Sequence, residues 1–121
     1  MADTSLSVTP LSDESLIIAT GTMLDNANAP EMLDAIAKAA GTGYKRIIVE
    51  MGNLEFLSSA GVGSILGSVE AVRESGGDVI LCGLSPTIKH VLDVLDLSSF
   101  LTITADRQSA LNVNLSGGRE R

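Results

Sequence analysis

The chain has 121 residues, of which 45% are hydrophobic and 19% are charged, and this balance is typical of one globular domain rather than of a disordered chain. Its formal net charge of -7 disfavours nucleic acid and anionic membranes as partners, and with only 2% aromatic residues it offers few platforms on which bases could stack. No apolar run approaches the ~20 residues that span a bilayer and no signal peptide follows Met1, so we expect a cytoplasmic domain that does not insert into membranes and whose partners are proteins with basic faces.

The first third of the chain predicts a hairpin followed by a helix. Residues 6–11 can form a short strand, in which Pro10 suits an edge strand or the end of a strand. Residues 16–19 form a second strand that ends at Gly21. Asn28 is placed to cap a helix that ends at residues 41–43. The apolar residues of that helix recur at helical spacing: Met32, Leu33, Ile36, Ala37 and Ala40.

The rest of the chain alternates strands with helices. Residues 46–51 and 78–83 predict strands buried on both faces, and residues 100–104 a weaker strand. A helix with Val62, Ile65, Leu66, Val69 and Val72 on one stripe separates the first two, and Gly76-Gly77 ends it. Ser85-Pro86 starts a third helix with Ile88, Val91, Leu92 and Leu95 on its apolar face, and Asp106 caps a fourth.

The predicted fold class follows from this order, β-β-α-β-α-β-α-β-α. Strands that alternate with helices favour a parallel sheet, and the N-terminal hairpin adds antiparallel pairing. We therefore expect a single α/β domain with a mixed β-sheet of about four to five strands and about four helices, without internal repeats. The domain is expected to span residues 1–115, and residues 116–121 are expected to form a flexible C-terminal tail.

Two adjacent serines lie where a strand passes into the second helix, in the sequence Phe56-Leu57-Ser58-Ser59-Ala60-Gly61-Val62-Gly63. Either hydroxyl can cap the helix. A phosphate attached here would also be stabilised, because a helix N-terminus offers unpaired N–H groups and partial positive charge. Within the helix, Gly63 and Gly67 suggest close approach by another backbone or by a partner, since glycine costs about 1 kcal/mol relative to alanine. These residues alone leave the choice between cap and modification site open.

Catalytic and metal sites are not indicated by the sequence. A triad of Ser59, His90 and Asp93 lacks the G-x-S-x-G turn, and His90 lies off the apolar stripe of its helix. The single cysteine, Cys82, lies in an apolar strand and is expected to be a buried core thiol. One Cys and one His cannot supply a metal site of the usual kind. We therefore expect a protein that is not an enzyme and binds no metal.

Cofactor motifs are also lacking. The spacing Gly61-x-Gly63-x-x-x-Gly67 is one residue longer than the dinucleotide fingerprint G-x-G-x-x-G, and valine stands between its first two glycines. No Gly-Lys-Ser or Gly-Lys-Thr is present, so a P-loop is excluded. We expect no cofactor.

The serine stretch resembles the signature of STAS-domain anti-sigma factor antagonists, which reads apolar-apolar-Asp-Ser-(Ser/Thr/Ala)-Gly-Leu-(Gly/Arg/Ala) before an aliphatic helix. The resemblance covers nearly the whole chain. Gly21-Thr22-Met23-Leu24-Asp25 looks like the G-x-L-D turn of the family, and Ala29-Pro30 fits the start of its first helix. Gly76-Gly77 and, after the next strand, Gly83-Leu84-Ser85-Pro86 are similar as well.

The resemblance implies a binding module that is controlled by phosphorylation. Members bind an anti-sigma factor, a serine kinase of the histidine-kinase-like ATPase type, and thereby free a sigma factor. The kinase inactivates the antagonist by phosphorylating a serine at the start of the second helix, and a PP2C-type phosphatase restores it. The matching serine is Ser59, with Ser58 as the second choice because it occupies the usual Asp position. The implied partner-binding residues are Asp25, Ser58, Ser59, Ala60, Gly61, Gly63 and Ser64.

Two other hypotheses stay open at the level of sequence. The chain could be a STAS scaffold that is not phosphorylated, as a subunit of a sensory or lipid-transport complex, in which Gly63 and Gly67 would serve permanent packing. It could also be a small nucleotide or ligand binder that uses the serine loop and Asp25.

Overall fold

A computed structural model describes residues 6–115, and these residues form a five-stranded mixed sheet with four helices. The strands are β1 Ser7–Pro10, β2 Ser15–Ala19, β3 Met23–Leu24, β4 Arg46–Glu50, β5 Phe56–Leu57, β6 Asp78–Cys82 and β7 Thr102–Thr104. The helices are α1 Ala29–Thr42, α2 Ser59–Glu74, α3 Pro86–Val94 and α4 Arg107–Leu111. The predicted fold class is confirmed. The tail predicted at residues 116–121 lies outside the described residues, and the domain limits stay a prediction.

The main sheet has the strand order β1-β2-β4-β6-β7. β1 is an antiparallel edge strand, as Pro10 predicted, and the other neighbours are parallel. The sheet is covered on both faces: Ile47 and Val49 of β4 belong to the main core under α1, α2 and α3, whereas Ile48 belongs to a smaller core under α4. This burial explains the continuous aliphatic run of β4. None of the described helices is long and apolar enough to cross a bilayer.

The inward face of α1 differs from the predicted stripe. Its buried residues are Ala29, Met32, Ile36 and Ala39. Leu33 and Ala37 are exposed, because they lie outside the face of α1 that these four buried residues form against the core. The C-terminal end of α1 is as predicted: Gly43 has a φ of 110°, in the left-handed region that favours glycine, and its N–H binds the carbonyls of the last turn.

The long helix α2 begins at Ser59, within the serine pair that was predicted to lie at its start, and packs mainly against α1 and over β6. Ile65, Val69 and Val72 are buried as predicted, but Val62 and Leu66 are only half-buried. Two serine hydroxyls share the buried face and donate hydrogen bonds within the helix, from Ser64 to the Gly61 carbonyl (2.8 Å) and from Ser68 to the Ser64 carbonyl (2.7 Å).

The C-terminal end of α2 is anchored by a buried ion pair. The Arg73 guanidinium donates to Asp78 Oδ1 (2.9 Å) and to the Phe100 carbonyl (2.8 Å), and Thr102 Oγ1 donates to Asp78 Oδ2 (2.6 Å). Asp78 is 1% exposed, so this network fixes α2 to the first residues of β6 and β7. The opposite end of α2 carries the two serines.

The third and fourth helices start at the predicted caps. Ser85 Oγ accepts from the Ile88 N–H (3.3 Å), and Asp106 Oδ1 accepts from the Ser109 N–H (2.9 Å). Helix α3 is held by Ile88 and Leu92, which are buried in the main core. Leu95, predicted to face inward, is 50% exposed because α3 ends at Val94 and the chain turns away there.

Candidate functional site

The candidate site lies at the end of a second sheet, which has two strands and was not predicted from the sequence. β3 and β5 have two residues each and pair in parallel, with Leu24 opposite Leu57. The pairing is extended by a hydrogen bond from the Ser58 N–H to the Leu24 carbonyl (3.0 Å). Because the two strands end in register, Asp25 and Ser58 follow at neighbouring positions. The structure thus brings together two residues that are 33 positions apart in the sequence.

Ser58 is the N-cap of α2. Its backbone is extended, with a φ of -85° and a ψ of 172°, and its hydroxyl oxygen accepts from the Gly61 N–H at 3.1 Å. Its carbonyl accepts the first helical bond from the Val62 N–H (2.9 Å). This is the geometry that makes serine a favoured cap, in which the hydroxyl satisfies one of the unpaired N–H groups of the first turn. The cap alternative left open by the sequence therefore applies to Ser58.

Ser59 is the first residue of α2, and its side chain is exposed. Within the described part of the chain its hydroxyl makes no hydrogen bond. The first turn of this 16-residue helix carries no acidic residue, so the partial positive charge of the helix N-terminus is not offset by a neighbouring carboxylate in that turn. Ser59 therefore presents an unengaged hydroxyl at a position that favours an attached anion.

Ala60 and Gly63 extend the surface around Ser59. Both are exposed, and a Cβ placed on Gly63 would meet no atom within 4 Å. Gly63 and Gly67 were predicted to allow close approach by another backbone or by a partner; no backbone among the described residues approaches Gly63, and approach by a partner there stays a prediction. Gly67 is in ordinary contact with Leu33 of α1, whose Cδ1 would lie 3.8 Å from an added Cβ.

The close approach occurs at Gly61 instead. A Cβ added there would lie 2.6 Å from the Leu24 carbonyl oxygen and 2.8 Å from Leu57 Cδ1. Ser64, 6% exposed, lies beneath the same turn and donates to the Gly61 carbonyl. Gly61 and Ser64, which the resemblance places among the partner-binding residues, therefore lie below the surface. They set how closely the start of α2 sits on the β3–β5 pair.

Asp25 shapes the loop beside Ser58. Its Oδ1 accepts from the Ala27 N–H (2.9 Å) and the Asn28 N–H (3.4 Å). In return, the Asn28 side chain accepts from the Asp25 N–H (2.8 Å) and donates to the Met23 carbonyl (2.9 Å). Asn28 was predicted to cap α1 with its side chain; it makes no such bond, because its amide is used to hold this loop.

An apolar groove adjoins the serines, and the sequence analysis missed it. It lies between the start of α2 and the end of α3 and is lined by Leu57, Ser58, Ser59, Val62, Val91 and Leu95. We call it the α2–α3 groove. Helical spacing placed Leu95 on the apolar face of α3. It did not show that the helix ends at Val94, which leaves the Leu95 side chain exposed.

Among the residues considered for catalysis, Asp93 is engaged in other hydrogen bonds. Asp93 is bonded to Ser98 and Lys89, and these hydrogen bonds, that of Ser98 first, lower the pKa of its carboxyl group. His90 is exposed, as predicted. The Cys82 thiol is 1% exposed, and burial raises its pKa to about 11, so it is the inert core thiol that was predicted. Residues 6–115 hold no group of His, Cys, Asp and Glu side chains suited to a metal ion.

A second crevice lies at the carboxyl ends of β2, β4 and β6, the usual ligand position in parallel sheets. An ion pair spans it, with Arg107 Nε and Nη2 at 3.0 Å and 3.2 Å from the two carboxylate oxygens of Glu50. Hydrogen bonds to Glu50 raise the pKa of Arg107. Both charges are thus satisfied within the protein, and nothing at this crevice points to a particular ligand.

Comparison with known proteins gives one family and related structures. Residues 8–110 match the model of the STAS domain. BtrV of Bordetella bronchiseptica, described provisionally as an anti-sigma factor antagonist, is 32% identical over 91 residues, which are 75% of this chain and 76% of BtrV. The anti-sigma factor antagonist SpoIIAA in its unphosphorylated form superposes with a TM-score of 0.77 at 25% identity, over 91% of this chain and 100% of SpoIIAA. SpoIIAA from Bacillus in the phosphorylated form superposes with a TM-score of 0.72 at 22% identity, with the same coverage.

Proposed function

Because the chain belongs to the STAS domain family, we propose that it is an anti-sigma factor antagonist, a protein that acts by binding and carries no catalysis of its own. The likeness to BtrV supports this, since it covers three quarters of both chains. The likeness to SpoIIAA, an anti-sigma factor antagonist whose whole length is covered, supports it as well.

The proposed control is phosphorylation of Ser59 by the anti-sigma factor itself, a serine kinase of the histidine-kinase-like ATPase type. The observation that supports this proposal is the difference in hydrogen bonding between the two serine hydroxyls. The Ser58 hydroxyl is occupied as the helix cap, whereas the Ser59 hydroxyl is exposed and makes no hydrogen bond within the described residues. A PP2C-type phosphatase is the proposed activity that reverses the modification.

In the transfer step this chain supplies the nucleophile only. A bond forms between Ser59 Oγ and the γ-phosphorus of ATP, the bond from that phosphorus to the bridging oxygen of ADP breaks, and a base of the kinase takes the hydroxyl proton. The helix N-terminus then faces the phosphate with its unpaired N–H groups. The product carries about -1.5 to -2 added charges at one exposed position, where the unmodified protein presents a neutral hydroxyl.

The proposed partner surface consists of Asp25, Ser58, Ser59, Ala60 and Gly63. Small side chains at its centre allow a partner backbone or a kinase active site to come close to the hydroxyl. Gly61 and Ser64 contribute from below, by holding the start of α2 against β3 and β5. The net charge of -7 favours a partner whose binding face is basic, because opposite charges speed encounter.

The proposal is tested by release of a sigma factor. A complex of the cognate anti-sigma factor with a fluorescently labelled sigma factor is titrated with this chain, and we expect displacement of the sigma factor as the chain binds in its place. Chain that has been incubated with the kinase and ATP should displace little, and treatment with a PP2C-type phosphatase should restore displacement. A sigma factor that stays bound at every concentration of unmodified chain would contradict the proposed function.

A further inference from the structure

The α2–α3 groove exposes apolar surface that folding does not require. Leu95, at the end of α3, is 50% exposed, and Val62 and Val91 on the facing helices are half-buried. Ile88 and Leu92 of α3 are buried in the main core, and the groove lies at the surface between α3 and the start of α2. Apolar side chains gathered in a concave site with a polar rim are typical of a surface that another protein covers.

The rim of this groove is the proposed phosphorylation site. Ser58 and Ser59 line one side of it, so the apolar floor begins directly beside the exposed hydroxyl. Phosphoryl transfer requires the reacting atoms to come within about 3–3.5 Å of each other. A kinase that acts on Ser59 must therefore cover the residues around it, and the groove lies within that footprint. This adjacency favours the kinase, and not a third partner, as the protein that would fill the groove.

We propose that the anti-sigma factor kinase docks apolar side chains into the α2–α3 groove, with Leu95 and Val91 as their main contacts on α3. This inference rests on the proposed function. It also gives phosphorylation a second effect, because a doubly charged group at Ser59 would have to lose its water at the edge of a dry, apolar contact. The contacts that hold the kinase in the groove would then be the same contacts that the phosphate on Ser59 weakens.

The test uses variants of Leu95 as substrates of the cognate kinase, with ATP saturating. Leu95→Asp is expected to raise the KM for this chain about tenfold or more and to leave kcat unchanged, because Leu95 lies outside the reacting groups. Leu95→Met, which keeps the side chain apolar, should stay within about twofold of the wild type. Val94→Asp is the matched control: Val94 is 67% exposed, lies outside the groove lining and places the same charge one position away.

The outcomes separate the two proposals. Equal KM values for Leu95→Asp, Val94→Asp and the wild type would overturn the docking groove and leave the proposed function standing. Equal losses in both aspartate variants would also overturn it, since the effect would then follow charge at the end of α3 and not the groove. Failure of the wild-type chain to bind or to be phosphorylated would instead contradict the proposed function.

Discussion

Replacing Ser59 with aspartate is expected to weaken binding to the anti-sigma factor by about 100-fold, whereas Ser59→Ala should bind as tightly as the wild type. A carboxylate at this position must be desolvated under the partner, and poorly compensated charges at an interface cost several kcal/mol. A loss of about 3 kcal/mol corresponds to the expected factor of about 100. The affinities can be measured by isothermal titration calorimetry without ATP.

The control for this experiment is Gln108→Asp, at an exposed residue of α4, which adds a carboxylate on the other side of the sheet. It should leave the affinity for the anti-sigma factor nearly unchanged. Equal affinities for Ser59→Asp and the wild type would contradict the placement of Ser59 in the binding surface. A large loss in Ser59→Ala would show that the hydroxyl itself is needed for binding, which the proposal does not require.

Replacing Gly61 with valine is expected to lower the free energy of unfolding by about 3 kcal/mol, at the upper end of the usual cost of overpacking. The first added carbon would lie 2.6 Å from a backbone oxygen, that of Leu24, which cannot move without disturbing the hydrogen bond from Ser58. Urea denaturation monitored by circular dichroism measures the change.

Gly63→Val provides the matched comparison, two residues further along the same helix. Its added side chain starts in open space, so its stability should stay within about 0.5 kcal/mol of the wild type. Similar stabilities for the Gly61 and Gly63 variants would show that α2 does not sit as closely on β3 and β5 as the structure has it.

Much of the fold was predictable because local signals agreed with burial. The aliphatic run of β4, the Ser85 and Asp106 caps, and Gly43 after α1 each have a reason within a few residues. The errors arose where distant contacts decide. Neither Met23–Leu24 nor Phe56–Leu57 is long enough to indicate a strand alone, and each forms one only by pairing with the other.

The roles of the two serines also could not be predicted from the local sequence. From residue types alone, either Ser58 or Ser59 could cap α2. The structure distinguishes them, because the Ser58 hydroxyl accepts a hydrogen bond from the Gly61 N–H. Similarly, close approach was predicted at Gly63 and Gly67, whereas within the chain it occurs at Gly61, which faces β3 while Gly63 faces outward. Which face of a helix meets a neighbour depends on packing that short sequence windows do not contain.

Phosphorylation of Ser59, and not of Ser58, is the proposed switch. Its most direct test is the intact mass of the wild-type chain after incubation with the cognate kinase and ATP, followed by mapping of the modified residue. We expect one phosphate, on Ser59; none on Ser59→Ala; and one on Ser58→Ala, although loss of the cap should destabilise that variant by about 1 kcal/mol. A phosphate mapped to Ser58, or full phosphorylation of Ser59→Ala, would contradict the assignment, and an unmodified wild-type chain would favour a scaffold that is not phosphorylated.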